Sequence, residues 1–204
     1  MRKAQLLLVT ITALLAIGDE AGAQIRQPQL GVYGGLTLPR GEWKLETDLG
    51  WHAGALGKVR VTRTFDARID GAYSRLGSKS TDFANASVSS ASEITFGTLV
   101  AELNLGPDSA QYPGDNSVSP YIHAGLGLYR HKFEGTCTGG CAGFTESHEE
   151  TKVGLTIGAG ANVPFGRIPL FAEFRWHRFG TVLPISQFES TVTMFTFSAG
   201  FKIR

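Results

Sequence analysis

Proton transfer, nucleophilic attack and metal ligation near neutral pH fall first to histidine and cysteine, and the chain holds five of the former and two of the latter. The richest cluster is Cys137, Cys141, Glu146, His148, Glu149 and Glu150, all within one short stretch. Its Cys-x-x-x-Cys spacing matches no tight structural zinc pattern. In an exported chain two neighbouring cysteines are read as a local disulfide or as spare thiols before they are read as metal ligands. His52, His123 and His177 alternate with apolar residues, while His131 and His148 lie near or in the stretch that holds the cysteines. Nucleophilic catalysis needs a base within hydrogen-bond reach of the nucleophile. No Ser/His pair shares an apolar face, so neither a catalytic site nor a cofactor is expected.

The elements that must position these side chains are strands. From Gln29 onward apolar and polar residues alternate with period two and never sustain a helical period for three turns. Between Thr151 and Val163, Val153, Leu155, Ile157, Ala159, Ala161 and Val163 occupy one face, with Lys152, Gly154, Thr156, Gly158, Gly160 and Asn162 on the other. The same reading gives eight strands, near Gln29–Leu38, Leu49–Val61, Phe65–Leu76, Ser92–Asn104, Pro120–Phe133, Thr151–Val163, Ile168–Phe179 and Thr191–Ile203. At roughly 10 to 14 residues they exceed the common length in soluble sheets and match a tilted strand crossing a bilayer.

Arg2 and Lys3, the apolar run Ala4–Ile17 and the small residues Ala21-Gly22-Ala23 have the layout of a secretory signal. Residues 1–23 are therefore expected to be removed, leaving one barrel domain over 24–204. The apolar run is too short for a spanning helix and is followed by Asp19 and Glu20, so it reads as a signal rather than an anchor. No comparable apolar run follows, and any membrane crossing must use strands. A formal net charge of +1 argues against nucleic acid as a partner.

The links alternate in character. Pro39–Asp48, Gly77–Ala91, Glu134–Glu150 and Gly180–Ser190 are polar and long; Thr62-Arg63-Thr64 and Pro164–Arg167 are short. That asymmetry is typical of outer-membrane barrels, whose long loops face outward, although Leu105–Ser119 departs from it. The apolar face carries no charge along any strand. The opposite face mixes Lys58, Arg68, Asp70, Glu102, His123, Glu173, Arg175 and His177 with many glycines, which on the wet outside of a soluble sheet would weaken it for no gain. The apolar face is thus expected against lipid, with glycine making room inside for long charged neighbours. Lys58, Arg68 and Arg175 balance Asp70, Glu102 and Glu173, as a dry interior requires, and a paired network filling the lumen is expected. Trp51, Phe65, Tyr73, Phe165, Trp176 and Phe201 sit near strand ends, where an aromatic belt belongs.

The segment Pro120-Tyr121-Ile122-His123-Ala124-Gly125-Leu126-Gly127-Leu128-Tyr129 and the ending Phe195-Thr196-Phe197-Ser198-Ala199-Gly200-Phe201 resemble small outer-membrane proteins of the OmpA/OmpX-like β-barrel superfamily. Gly31-Val32-Tyr33-Gly34-Gly35 and Gly54-Ala55-Leu56-Gly57 are similar in kind. The resemblance implies a bacterial outer-membrane location with periplasmic termini and surface loops. It also implies insertion by the barrel-assembly machinery and contact with lipid and lipopolysaccharide. Members end on an aromatic residue, which here is Phe201, followed by Lys202-Ile203-Arg204.

The expectation is an all-β, eight-stranded antiparallel up-and-down transmembrane barrel that is non-enzymatic and acts structurally or through its surface loops. Two other readings compete with it. One is a small pore; the other is a soluble ligand-carrying barrel, suggested by the Gly-x-Trp of Gly41-Glu42-Trp43, a weak lipocalin-like signature.

Overall fold

A computed structural model of the chain describes residues 28–41, 47–62, 64–83, 86–106, 118–139, 145–165, 168–180 and 191–203. The expected signal segment lies outside them. The alternating pattern forms β1 (Gln29–Arg40), β2 (Thr47–Arg60), β3 (Phe65–Phe83), β4 (Ala86–Asn104), β5 (Ser119–Gly139), β6 (Thr145–Phe165), β7 (Ile168–Gly180) and β8 (Val192–Ile203). Each strand pairs antiparallel with the next, and β8 returns to β1 from Leu30↔Ile203 to Arg40↔Thr193, closing the barrel. Closure pairs backbone groups that hydrocarbon could not satisfy. Both ends of the barrel-forming segment, Gln29 and Ile203, lie at one rim, the terminal end, and the β1–β2, β3–β4, β5–β6 and β7–β8 links at the other, the loop end. Gly41 follows β1 with φ of 72°, a left-handed backbone that glycine adopts without a Cβ clash.

The apolar face points outward. Leu30, Ile69, Leu99 and Leu126 are 64, 62, 66 and 66 % exposed, whereas Arg68, Glu102 and Arg175 are 1, 0 and 1 % exposed. In water this would be inside out; against hydrocarbon it is the stable arrangement. A soluble carrier needs the reverse, so that alternative is set aside. Phe65, Phe165 and Phe201 ring the outward surface at the terminal end. Trp51 and Tyr73 meet near the loop end with ring centroids 5.7 Å apart. On β5 the outward apolar series ends at Leu128, and Arg130, Lys132 and Glu134 follow, which places that edge of the lipid band.

Two of the polar stretches read as links are mostly strand. β3 and β4 stay paired through Phe83↔Ala86, β4 and β5 through Ala86↔Gly139, and β5 and β6 through Thr136↔Thr145. Gly77–Ala91 therefore shrinks to a connection at 84–85, and Glu134–Glu150 to one at 140–144. By contrast β2 leaves β3 at Thr47↔Ser78, and β7 leaves β6 at Gly180↔Val153. Hydrophobic alternation marks a strand only while one face meets lipid; the backbone ladder continues after the outer face reaches water. His131 and His148 accordingly belong to β5 and β6 rather than to a loop.

Candidate functional site

The barrel interior gathers the polar residues singled out in the sequence, and it does so in layers. Lowest, towards the terminal end, Asp66 accepts hydrogen bonds from Arg60 Nε at 2.9 Å and Asn104 Nδ2 at 3.0 Å, and pairs with Lys58 Nζ at 2.8 Å. Lys58 also donates to Glu102 at 2.8 Å. Lys202 donates to Asn162 Oδ1 at 2.5 Å and lies 5.0 and 5.4 Å from the centres of the Phe171 and Tyr121 rings.

The next layer spans the barrel. β3 carries Arg68 and Asp70 two residues apart, so both point inward; β7, on the opposite wall and running the same way, carries Glu173 and Arg175. Equal levels then face each other with opposite charge. Arg68 Nη1 donates to Glu173 at 2.7 Å, and Arg175 Nη2 donates to Asp70 at 3.1 Å. Within each strand Arg68 Nε donates to Asp70 at 2.8 Å, and Arg175 Nε donates to Glu173. Tyr121 donates its hydroxyl proton to Glu173 at 2.9 Å. The structure thus brings Lys58, Arg68, Asp70, Glu102, Glu173 and Arg175 together. It adds Arg60, Asp66, Tyr121 and Lys202, all of which share the inward parity.

Above the charges lies a layer of histidines and hydroxyls. His52 Nδ1 meets Thr37 Oγ1 at 3.1 Å and its Nε2 meets Ser198 Oγ at 2.8 Å. Ser74 donates to Thr37 at 2.9 Å. His177 sits between Tyr129 Oη at 3.0 Å and Thr196 Oγ1 at 3.1 Å. Nearest the loop end, Leu76, Ile94, Phe179, Val192 and Met194 are buried, with Phe179 stacked on Tyr129 at 4.5 Å and 5°. This apolar cap was not expected. Its residues lie on the polar face of their strands, but single large apolar residues there carry little weight against the outward series.

The inward glycines make room inside the barrel, and several kinds of neighbour take it. A Cβ at Gly160 would lie 2.5 Å from the Tyr121 ring, one at Gly54 would lie 2.7 Å from the Tyr33 ring, and one at Gly154 would lie 2.8 Å from the Tyr129 ring. At Gly31, Gly125 and Gly127 the nearest side chains are instead Leu56, Val100 and Thr98, and at Gly35 and Gly158 they are His52 and His123; at none of these is the neighbour a long charged side chain.

Chemically the interior is closed. The Ser198–His52 contact resembles a nucleophile and base, but the other nitrogen of His52 meets a threonine rather than an orienting carboxylate, and the two residues are 6 and 2 % exposed. Neither ring nitrogen of His123 has a hydrogen-bond partner, and its Nδ1 is 3.6 Å from Glu173 Oε2. Among the described residues no three His, Cys, Asp or Glu side chains are placed to hold a metal. The backbone of Cys137 lies in β5, but its side chain and all of Cys141 fall outside the described residues, and with them the expected bridge.

The crystal structure of Neisserial surface protein A superposes with a TM-score of 0.58 at 16 % identity, covering 86 % of this chain and 96 % of that one. Ail of Yersinia pestis, in complex with the heparin analogue sucrose octasulfate, gives 0.48 at 14 % identity, covering 87 and 99 %. The N-terminal barrel of Pseudomonas aeruginosa OprF gives 0.47 at 14 %, covering 87 and 100 %. No curated protein matches by sequence. The outer membrane protein beta-barrel domain family matches residues 9–202. With an eight-stranded closed barrel, a lipid-facing apolar surface and that match over nearly the whole length, the chain belongs to the outer membrane protein beta-barrel domain family and resides in the bacterial outer membrane.

Proposed function

We propose that the barrel is a non-enzymatic anchor that presents the β3–β6 extension, and the links above it, at the cell surface. The observation that supports this most is the division of labour along the barrel axis. The interior is filled at successive levels by ion pairs, hydrogen-bonded histidines and an apolar cap, which among the described residues leaves no chemistry-bearing group of the interior open to a substrate. The polar four-stranded sheet, by contrast, continues past the lipid band. Arg130 on β5 makes two hydrogen bonds to Glu149 on β6, at 2.7 and 2.9 Å, which stiffens that sheet where it meets water. The charge layer acts as a structural plug, insertion follows from the barrel-assembly machinery, and lipopolysaccharide is the surrounding lipid. The same filled interior weighs against the small-pore alternative.

A short epitope inserted at 140–144 tests this reading. Intact cells should bind the antibody; staining seen only after the outer membrane is permeabilised would reverse the orientation and end the proposal.

A further inference from the structure

Four upward-running strands each place an arginine on the outward face near the loop-end edge of the lipid band: Arg40, Arg75, Arg130 and Arg178. Two of them face acids. Arg75 is the register partner of Glu93, and Arg130 holds Glu149. The other two converge on one strand: Arg40 and Arg178 are both register partners of Thr193, one through the β1–β8 ladder and one through β7–β8. Adjacent strands lie about 4.8 Å apart, so the two arginine backbones stand about 10 Å apart with a threonine between them. Among the described residues no carboxylate pairs with either guanidinium. Directly below Thr193 on the same outward column comes Phe195. The Arg40 guanidinium lies 5.4 Å from its ring centre, a cation–π contact that orients the charge. Phe174 is 5.2 Å from Phe195 and 4.8 Å from Phe197, giving a patch of three aromatic rings that faces hydrocarbon.

We propose that Arg40, Thr193 and Arg178 form a binding site for the phosphate of an acylated lipid of the outer leaflet, whose chains lie over Phe195, Phe174 and Phe197. This rests on the reading that the loop end faces the cell exterior. The chemistry is complementary on both counts. Two forked guanidiniums and a hydroxyl can surround a phosphate with charge-assisted hydrogen bonds, and the aromatic patch continues into the depth where acyl chains run. A guanidinium at the rim attracts an anion, and lipid phosphate is the anion held at that height. Arg130, bonded twice to Glu149, is already satisfied within the barrel and provides the internal comparison.

The test uses the whole folded chain in nanodiscs or mild detergent. Bound lipid is counted by native mass spectrometry during titration with diphosphorylated lipid A, the same lipid stripped of phosphate, phosphatidylglycerol and inorganic phosphate alone. The wild type should retain diphosphorylated lipid A, R40Q and R178Q should each weaken it about tenfold, and R130Q should leave it unchanged. Heat-modifiable gel migration checks that every variant is folded. Equal retention of dephosphorylated lipid, displacement by inorganic phosphate at matched concentration, or unchanged binding in the R40Q/R178Q double variant would each overturn the site. Preference for phosphatidylglycerol over lipid A would place this rim in the inner leaflet, which overturns the outer-leaflet ligand. If lipid A binding is lost while the inserted epitope still labels intact cells, this site fails and the display role stands; if the epitope is reached only after permeabilisation, the outer-leaflet ligand falls with the display role.

Discussion

Glu173→Gln is the sharpest probe of the barrel interior. The carboxylate is 5 % exposed and accepts from Arg68 at 2.7 Å, from Tyr121 at 2.9 Å and from Arg175. Glutamine keeps its size but removes the charge and turns an N–H₂ group towards cationic donors. Breaking one partner of a buried ion pair costs about 3–5 kcal/mol, because the other charge is left without compensation. Here Asp70 still serves both arginines and Glu102 lies 3.5 Å from Arg68, which points to the low end, about 3 kcal/mol. Arg175→Met should cost a similar about 3 kcal/mol by stranding part of Asp70 and Glu173. Combined, the two changes restore charge balance, so the double variant should also cost about 3 rather than about 6 kcal/mol, a coupling of about 3 kcal/mol. Urea unfolding in lipid vesicles measures this, followed by tryptophan emission, since Trp51 is half exposed on the lipid face and reports its departure from hydrocarbon. Additive costs, or single variants within about 0.5 kcal/mol of wild type, would show that the cross-barrel pairs carry no net stabilisation.

Leu126→Arg, in the middle of the outward band, should destabilise the barrel by about 2–4 kcal/mol in the same urea assay, and a neutral result would move the lipid boundary. Gly160→Val should lower folding yield sharply by forcing the Tyr121 ring away from Glu173, with Tyr121→Ala restoring only part of the yield, since the new Cβ still lies 2.7 Å from the Ala172 carbonyl oxygen. Two groups on the β5–β6 extension, outside the lipid band, make that hairpin acid-sensitive. Burial, followed by the nearby Lys152 charge, holds His131 down at about 4 from its ordinary 6.5. Opened hairpins therefore bind a proton that closed ones refuse, and protection falls as pH drops from 6.5 towards 4. Hydrogen bonds from His148 and then Lys152 hold Glu150 at about 2, so its contribution is present above 4.5 and lost between 4.5 and 2. Hydrogen exchange across residues 130–152, corrected for intrinsic rate, should show both windows, and His131→Gln should abolish the first alone. Planar-bilayer recording should give no steady unit conductance for wild type or Glu173→Gln, because Phe179 on Tyr129 and the cap residues close the barrel above the charge layer; stable openings in the wild type would favour a pore.

The fold and the facing of its strands were legible in the residues, and for one physical reason: a closed sheet between lipid and a narrow lumen imposes a two-residue rhythm that composition alone can satisfy in few other ways. Leu99, Leu126 and Ile157 against Glu102, Glu173 and Arg175 state that rhythm plainly, which is why the eight strands and the inward charges follow from the sequence. Strand ends at the loop side could not, because Glu134–Glu150 and Gly77–Ala91 lack an apolar face once water replaces lipid, although their backbones remain paired. The partners of each charge were equally hidden. Arg68 meets Glu173 more than a hundred residues away, and only the circumference and register of the barrel bring β3 opposite β7 at the same height. The aromatic interior was masked for a related reason: parity points Tyr121 and Tyr129 inward, but the space that Gly160 and Gly154 yield to their rings depends on the closed barrel. Pattern along the chain thus decides which way a side chain points, because pleating is local; closure of the sheet decides what it meets, because that depends on strands far apart in sequence arriving at one level.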